Sequence, residues 1–166
     1  MLLRYIIIYL LRKNIYYSQT HITLFARFFV LFSRDLTFLI GSLGASAVLA
    51  YAAPSSPLAQ PRNFIGGNLL SALIGCLWRL SINHLDRATA AAFAVSTSIA
   101  AMQFTETVHP PGGAIALIAV ITEPTLPWAN FLYIFIPVLS ASMIMLILAL
   151  LINNLSNYRT YPVRWW

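Results

Sequence analysis

Charge is what this sequence has least of. Only 8 % of its 166 residues are charged and 60 % are hydrophobic, where a soluble domain carries about 25 % charged residues. A chain this size cannot cover itself for water with so little polar surface, so the composition excludes an ordinary soluble domain and points to one integral membrane domain. Acidic residues are scarcest: four against ten Lys and Arg. The basic excess raises nucleic acid as a partner, but the basic residues stand singly among apolar runs, without a polar, aromatic-interleaved patch, so no nucleic acid is expected. Cysteine occurs once, as Cys76, which excludes an intrachain disulfide and a cysteine metal site. Metalloprotease, nucleophile-elbow and P-loop motifs are missing as well. An enzyme reading has only Glu106 and His109 as candidate acid–base groups, and no nucleophile accompanies them. Neither an enzyme nor a bound cofactor or metal is expected.

What the chain has instead is long apolar runs. Residues 36–53, 64–82, 88–105 and 128–152 each approach the 18–20 residues that a membrane helix needs. Trp128 and Tyr133 begin the last, placed to sit at the headgroup level. Between the last two runs, residues 112–122 are only 11 long. As a helix they reach roughly 16 Å, half of a hydrocarbon core of about 30 Å. Arg27 and Arg34 put the start of the first span on the cytoplasmic-like side. Counting spans from there, the tail with Arg159 and Arg164 ends on that same side only if 112–122 enters and leaves by one face. The expected fold is therefore all-α, a polytopic transmembrane bundle of about four full spans with a short broken or re-entrant helix after His109-Pro-Pro. Residues 1–34 form a basic, apolar N-terminal segment, 35–153 the transmembrane domain and 154–166 a polar, basic tail. The first segment reads as a membrane-surface hairpin or an organelle leader, since its two runs are split by Arg12-Lys13 and no acidic residue precedes Asp35.

Lipid supplies no hydrophobic force between helices, so small residues mark where helices touch. Gly67, Ser71 and Gly75 recur every fourth residue on the second span, and Gly41 and Ala45, with Ser42 and Ser46, do so on the first. The third span is small on nearly every face, which predicts a place at the bundle centre.

Two strings could carry chemistry. In His109-Pro-Pro-Gly-Gly-Ala114, Pro110 and Pro111 end any preceding helix and suit the first turn of a following one. A helix starting there would present backbone N–H groups and a positive dipole end, and Gly112 and Gly113 would let an anion approach them. Broken helices serve this purpose in transporters. His109 could add a proton-dependent charge; equally, the string could be a tight turn with His109 facing water. Pro61-Arg62-Asn63-Phe-Ile-Gly66-Gly67 has the same build. Arg62 is a bidentate partner for a small oxyanion, or an interfacial residue snorkelling to headgroups, and Asn63 can cap the helix. Glu106 and Glu123 bracket the first string, and Glu106 stands three residues before His109, close enough to raise its proton affinity if they meet. Asp86, between His84 and Arg87, reads as part of a polar loop that fixes orientation, and His21 and His84 carry no partner pattern.

Gly41-Ser-Leu-Gly-Ala-Ser-Ala-Val-Leu49, Ser56-Pro-Leu-Ala-Gln-Pro-Arg-Asn63 with Gly66 and Gly67, and His109-Pro-Pro-Gly-Gly-Ala114 resemble, in that order, the HPP family of integral membrane proteins, from about residue 36 to 152. The resemblance marks Pro61, Arg62, Asn63, His109, Pro110, Pro111, Gly112 and Gly113. It implies a small multi-helix membrane protein whose plastid and cyanobacterial relatives are linked to nitrite transport. The N-terminal 34 residues depart from the family's pattern. The expected function is a transporter or channel for a small inorganic anion such as nitrite, bound by Arg62, Asn63, His109, Gly112 and Gly113. The alternative is a membrane scaffold or accessory subunit whose motifs serve only packing. The lipid bilayer and the anion are the expected partners, in a bacterial inner membrane or, alternatively, a plastid envelope. Four spans and a half-helix are few to enclose a pathway, which suggests a homo-oligomer.

Overall fold

The computed structural model describes residues 37–122, 129–155 and 159–165, and Phe38–Trp166 forms one compact unit. The readings of residues 1–34, and of Asp35, Glu123 and Trp128, lie outside the described residues. Within them every regular element is helical. Helix α1 (Thr37–Ala47) runs into a π-helical stretch, Val48–Ala52, and α2 spans Pro61–Arg79, extended by a 3-10 turn at Leu80–Asn83. Helices α3 (Arg87–Phe104), α4 (Pro111–Ile121), α5 (Ala129–Tyr133) and α6 (Ser140–Asn154) follow.

Local chemistry sets most boundaries. Pro61 occupies the first turn of α2 behind the extended Gln60, where a missing N–H costs nothing. Asp86 caps α3 by accepting the Thr89 N–H at 2.9 Å. That helix closes with Glu106 N–H donating to Gln103 O and Thr107 N–H to Met102 O, the paired bonds of a Schellman end. Such an end needs a left-handed residue, and Glu106 supplies it with φ 55°.

Two stretches are long and apolar enough to cross a membrane, Pro61–Asn83 and Phe131–Asn154, with mean hydropathies of 1.4 and 2.7. Gly41–Ala52 and Pro111–Ile121 are shorter apolar helices, and α3, at 18 residues, is rich in Ala, Ser and Thr. The expected last span is not continuous: Ile136 has non-helical angles (φ −128°, ψ 109°) ahead of Pro137, and Ile134–Leu139 is π-helical. Proline there has no N–H to continue the ladder. Tyr133 donates its hydroxyl to Ile115 O at 3.1 Å, which ties α5 to α4.

Helix α2 is the hub, packed against α3, α4, α5 and α6. This corrects the expectation that α3 lies at the centre. Its buried residues Ala90, Ala91, Ala94, Ser98 and Met102 form one stripe, while Phe93 and Ile99 are exposed. The ladder on α2 does hold its neighbours close. A Cβ added at Gly67 would lie 2.6 Å from Thr107 O and 2.7 Å from His109 Cβ, and one at Gly75 would lie 2.6 Å from Ala116 O and from Ala119 Cβ. Ser71 Oγ would be 2.6 Å from a Cβ at Gly112. On α1, Ser42 and Ser46 are buried, whereas Gly41 and Ala45 are exposed.

These contacts fix direction. Thr105 at the end of α3 meets Arg62 at the start of α2, so α3 runs antiparallel to α2. Helix α4 begins beside Gly67 and Ser71 and ends where Arg79 Nη1 donates to Ala119 O (3.1 Å) and Val120 O (3.3 Å). It therefore runs parallel to α2 and finishes at the opposite end from Arg62. The chain is broken at His109-Pro-Pro as expected, and α4 runs on toward the Arg79 end without turning back to the Arg62 end. Thr107–His109 pass beside Gly66 and Gly67 without helical turns, and from there α4 covers roughly 16 Å toward the Arg79 end. The final helix returns, Asn68 Nδ2 meeting Ser142 Oγ and Asn153 Nδ2 meeting Ala50 O. Its tail then packs on the Arg62 end, with Tyr161 Oη donating to Ala59 O at 2.7 Å. Of the arginines used in the charge count, Arg159 is engaged inside the fold, donating to Tyr51 O, while the Arg164 side chain is exposed.

Candidate functional site

The Arg62 end gathers residues 54–63, the turn at 105–110 and the tail. Arg62, in the first turn of α2, donates from Nη2 to Thr105 O at 2.9 Å, and its Nη1 lies 3.7 Å from Glu106 Oε2. That carboxylate is 80 % exposed and the arginine side chain 33 %. Asn63 reaches the same turn, donating from Nδ2 to Val108 O at 2.9 Å. Neither residue caps α2. Both instead satisfy carbonyls left free where α3 has ended and α4 has not begun, as a break in a membrane-embedded ladder requires.

His109 lies beneath, fully buried. Its Nδ1 is 2.9 Å from Leu58 O and its Nε2 2.9 Å from Ser46 Oγ. A carbonyl only accepts, so Nδ1 carries the proton, and the Ser46 hydroxyl can donate to Nε2. The ring also tilts against Phe64, with centroids 4.9 Å apart. His109 thus binds α1, the 54–60 loop and α2 together. It does not meet Glu106, which turns to Arg62.

Pro110 and Pro111 open α4 as expected. The glycine amides are not free donors: Gly112 N–H donates to His109 O at 2.8 Å and Gly113 N–H to Pro110 O at 3.3 Å. Gly112 is buried under Ser71 and Met102, whereas the nearest atom to a Cβ at Gly113 would be Val95 Cγ1 at 3.8 Å. Gly66 and Gly67 leave room for Thr107 and His109.

Above the break lies an open pocket of about 470 Å³, lined by Arg62, Asn63, Glu106, Ser55, Pro57 and Gln60, and by Val163, Arg164 and Trp165 of the tail. The structure brings Arg62, Asn63 and Glu106 into this pocket and leaves His109, Gly112 and Gly113 out of its lining. Two of its members, Gln60 and Arg164, carried no signal of their own. Gln60 was readable only as part of the Ser56–Asn63 string, and a lone arginine in a tail reads as an orientation charge. Among the described residues no three His, Cys, Asp or Glu lie together where they could hold a metal.

Residues 13–162 match the HPP transmembrane-region family, a match that starts inside the segment set apart above. A transmembrane protein of Dictyostelium discoideum is 48 % identical over 135 residues, 80 % of this chain and 43 % of its own length. A second from the same organism is 49 % identical over 130 residues, 77 % of this chain and 45 % of its own. The chain thus spans less than half the length of these relatives. No solved structure matches. With a family match over most of its length and three family motifs meeting around one helix break, the chain belongs to the HPP transmembrane-region family of integral membrane proteins.

Proposed function

We propose that this protein is a transporter or channel for a small inorganic anion, with nitrite as the reference substrate. The observation that carries the reading is the pocket at the mouth of the broken helix, where Arg62, Arg164 and Asn63 share the lining with Glu106, the one carboxylate among its described residues. The Arg62–Glu106 pair is long and Glu106 is exposed, so it holds Arg62 by at most about 1 kcal/mol. An oxyanion offering two acceptors to the guanidinium fork competes well with it. Because their amides bond within the turn, Gly112 and Gly113 act in this reading through the positive end of α4 and through close packing. His109 acts as a buried brace in place of a titrating ligand. The reading takes α1, α2, α3 and the kinked α5–α6 segment as full crossings, with the extended loop and α4 as a fifth, and a homo-oligomer as the transporting unit. The relatives' host is a eukaryote, which gives the bacterial inner membrane no added support over another membrane.

Proteoliposome uptake of nitrite, nitrate, chloride and formate tests this. Arg62→Ala should reduce uptake at least tenfold, with Arg62→Lys intermediate, because a point charge lacks the bidentate fork. Equal uptake in Arg62→Ala, Arg164→Ala and parent vesicles removes the site. The scaffold reading has its own observation, that a Cβ added at Gly66, Gly67, Gly75 or Gly112 would stand within about 3 Å of a packing neighbour. It predicts that Arg62→Ala does little while Gly→Ala changes in α2 disrupt folding.

A further inference from the structure

The tail is fastened to the pocket at several points that no motif accounts for. Gln60 is only 5 % exposed and uses both ends of its amide. Nε2 donates to Pro54 O (2.9 Å) and Ser56 O (2.8 Å), while Oε1 accepts the backbone N–H groups of Val163 (2.8 Å) and Arg164 (3.1 Å). The Tyr161 ring is buried, its hydroxyl on Ala59 O. Asn154 clasps the Tyr161 backbone from both sides, and Arg159 Nη1 donates to Tyr51 O at 3.0 Å. A tail needing only to leave the membrane would require none of this. The consequence is local: backbone amides at 163 and 164 are pinned, and the Arg164 side chain is left exposed in the same pocket as Arg62.

We infer that residues 159–165 form a strap that supplies the second cation of an anion clamp, Arg164 opposite Arg62, with Gln60 as its positioning residue. This rests on the anion reading above and narrows its substrate class. Among the described lining residues, two guanidinium groups against the Glu106 carboxylate leave one positive charge, which a monovalent anion neutralises. A divalent anion such as sulfate would leave a surplus negative charge, so the clamp discriminates by charge before size. Gln60 suits its task because an amide side chain alone among short polar groups donates twice to carbonyls and accepts twice from amides. Glutamate cannot donate, and leucine of similar volume can do neither.

The test uses the full chain in liposomes, with nitrite as the transported probe and sulfate as competitor. Gln60→Leu and Arg164→Gln should each raise the half-saturating nitrite concentration about tenfold while the maximal rate stays within about twofold. Arg164→Lys should recover part of the loss, and Glu106→Gln should let sulfate inhibit nitrite uptake that it leaves alone in the parent. An arm independent of transport follows trypsin cleavage after Arg159, slow in the parent and at least tenfold faster in Gln60→Leu. A normal half-saturation in Arg164→Gln alongside a raised one in Arg62→Ala overturns the clamp and leaves transport standing. If parent vesicles carry no anion, the transport reading falls and the trypsin arm decides the strap: unchanged cleavage in Gln60→Leu overturns it.

Discussion

Gly75→Ala should separate α4 from its seat on α2. The added Cβ would stand 2.6 Å from Ala116 O, 2.6 Å from Ala119 Cβ and 2.9 Å from Ala116 Cα. Ordinary contacts between such atoms begin near 3.5 Å, so the two backbones must part by nearly 1 Å. No flexible side chain can absorb that, because two of the three atoms are backbone. Sliding is blocked as well, since Gly112 is wedged against Ser71 at one end of α4 and Arg79 grips Ala119 O and Val120 O at the other. Overpacking of this kind costs about 1–3 kcal/mol. The better helix propensity of alanine returns roughly 0.5–1 kcal/mol, leaving a net loss of up to about 2.5 kcal/mol, at the upper end because neither partner can yield. At roughly 2–4 °C per kcal/mol, the melting temperature in detergent should fall by several degrees. Ala119→Gly added to Gly75→Ala should restore only part, as it removes one of the three contacts. Gly113→Ala is the control, its Cβ meeting nothing nearer than Val95 Cγ1 at 3.8 Å, and should be neutral or slightly stabilising. Equal melting of Gly75→Ala and Gly113→Ala would refute the close seating of α4.

The left-handed residue that ends α3 gives a second expectation. Glu106→Gly relieves about 1 kcal/mol of backbone cost and should melt no lower than the parent, while Glu106→Ala keeps the strain, loses the Arg62 partner and should melt lower than Glu106→Gly. A third concerns pH. Hydrogen bonds from the Thr89 hydroxyl and amide hold the Asp86 carboxyl below its usual value, so the folded state binds its proton more weakly than the unfolded chain. The stability this contributes is complete above about pH 4 and is lost as pH falls through the lowered folded value. An acid melting series on the parent should show a drop that Asp86→Asn, which keeps the cap, lacks.

The features legible in the sequence are those that depend on what one residue type can or cannot do. Pro110 and Pro111 cannot extend a helix, so the break was readable; Gly67, Ser71 and Gly75 at four-residue spacing cannot keep neighbours away, so the ladder on α2 was readable. Arg62, Asn63 and Glu106 stand out in the sequence and line one pocket, but Glu106, expected beside His109, pairs with Arg62 instead. The direction of α4 after the break was not readable, because it is set by the contacts of Gly75 and Arg79 with Ala116, Ala119 and Val120, which residue counting ignores. Arginines misled for a related reason: Arg79 ends α4 and Arg159 ties the tail to Tyr51 O, work that looks in sequence like a loop charge. The role of Gln60 was hidden because backbone amides about 100 positions away leave no trace in residue type. An alanine-rich helix looked central, yet smallness permits close approach without requiring it, and α3 uses one face.

The central claim is that the chain continues across after His109-Pro-Pro, so that the tail and Arg62 share a face. Single cysteines placed in a Cys76→Ala background and probed with a membrane-impermeant maleimide on sealed vesicles test it directly. Ser55→Cys and Trp165→Cys should label from one side and His84→Cys only from the other, all three positions being exposed. Labelling of Trp165→Cys together with His84→Cys, and apart from Ser55→Cys, would contradict the crossing, and with it both the strap and the pocket.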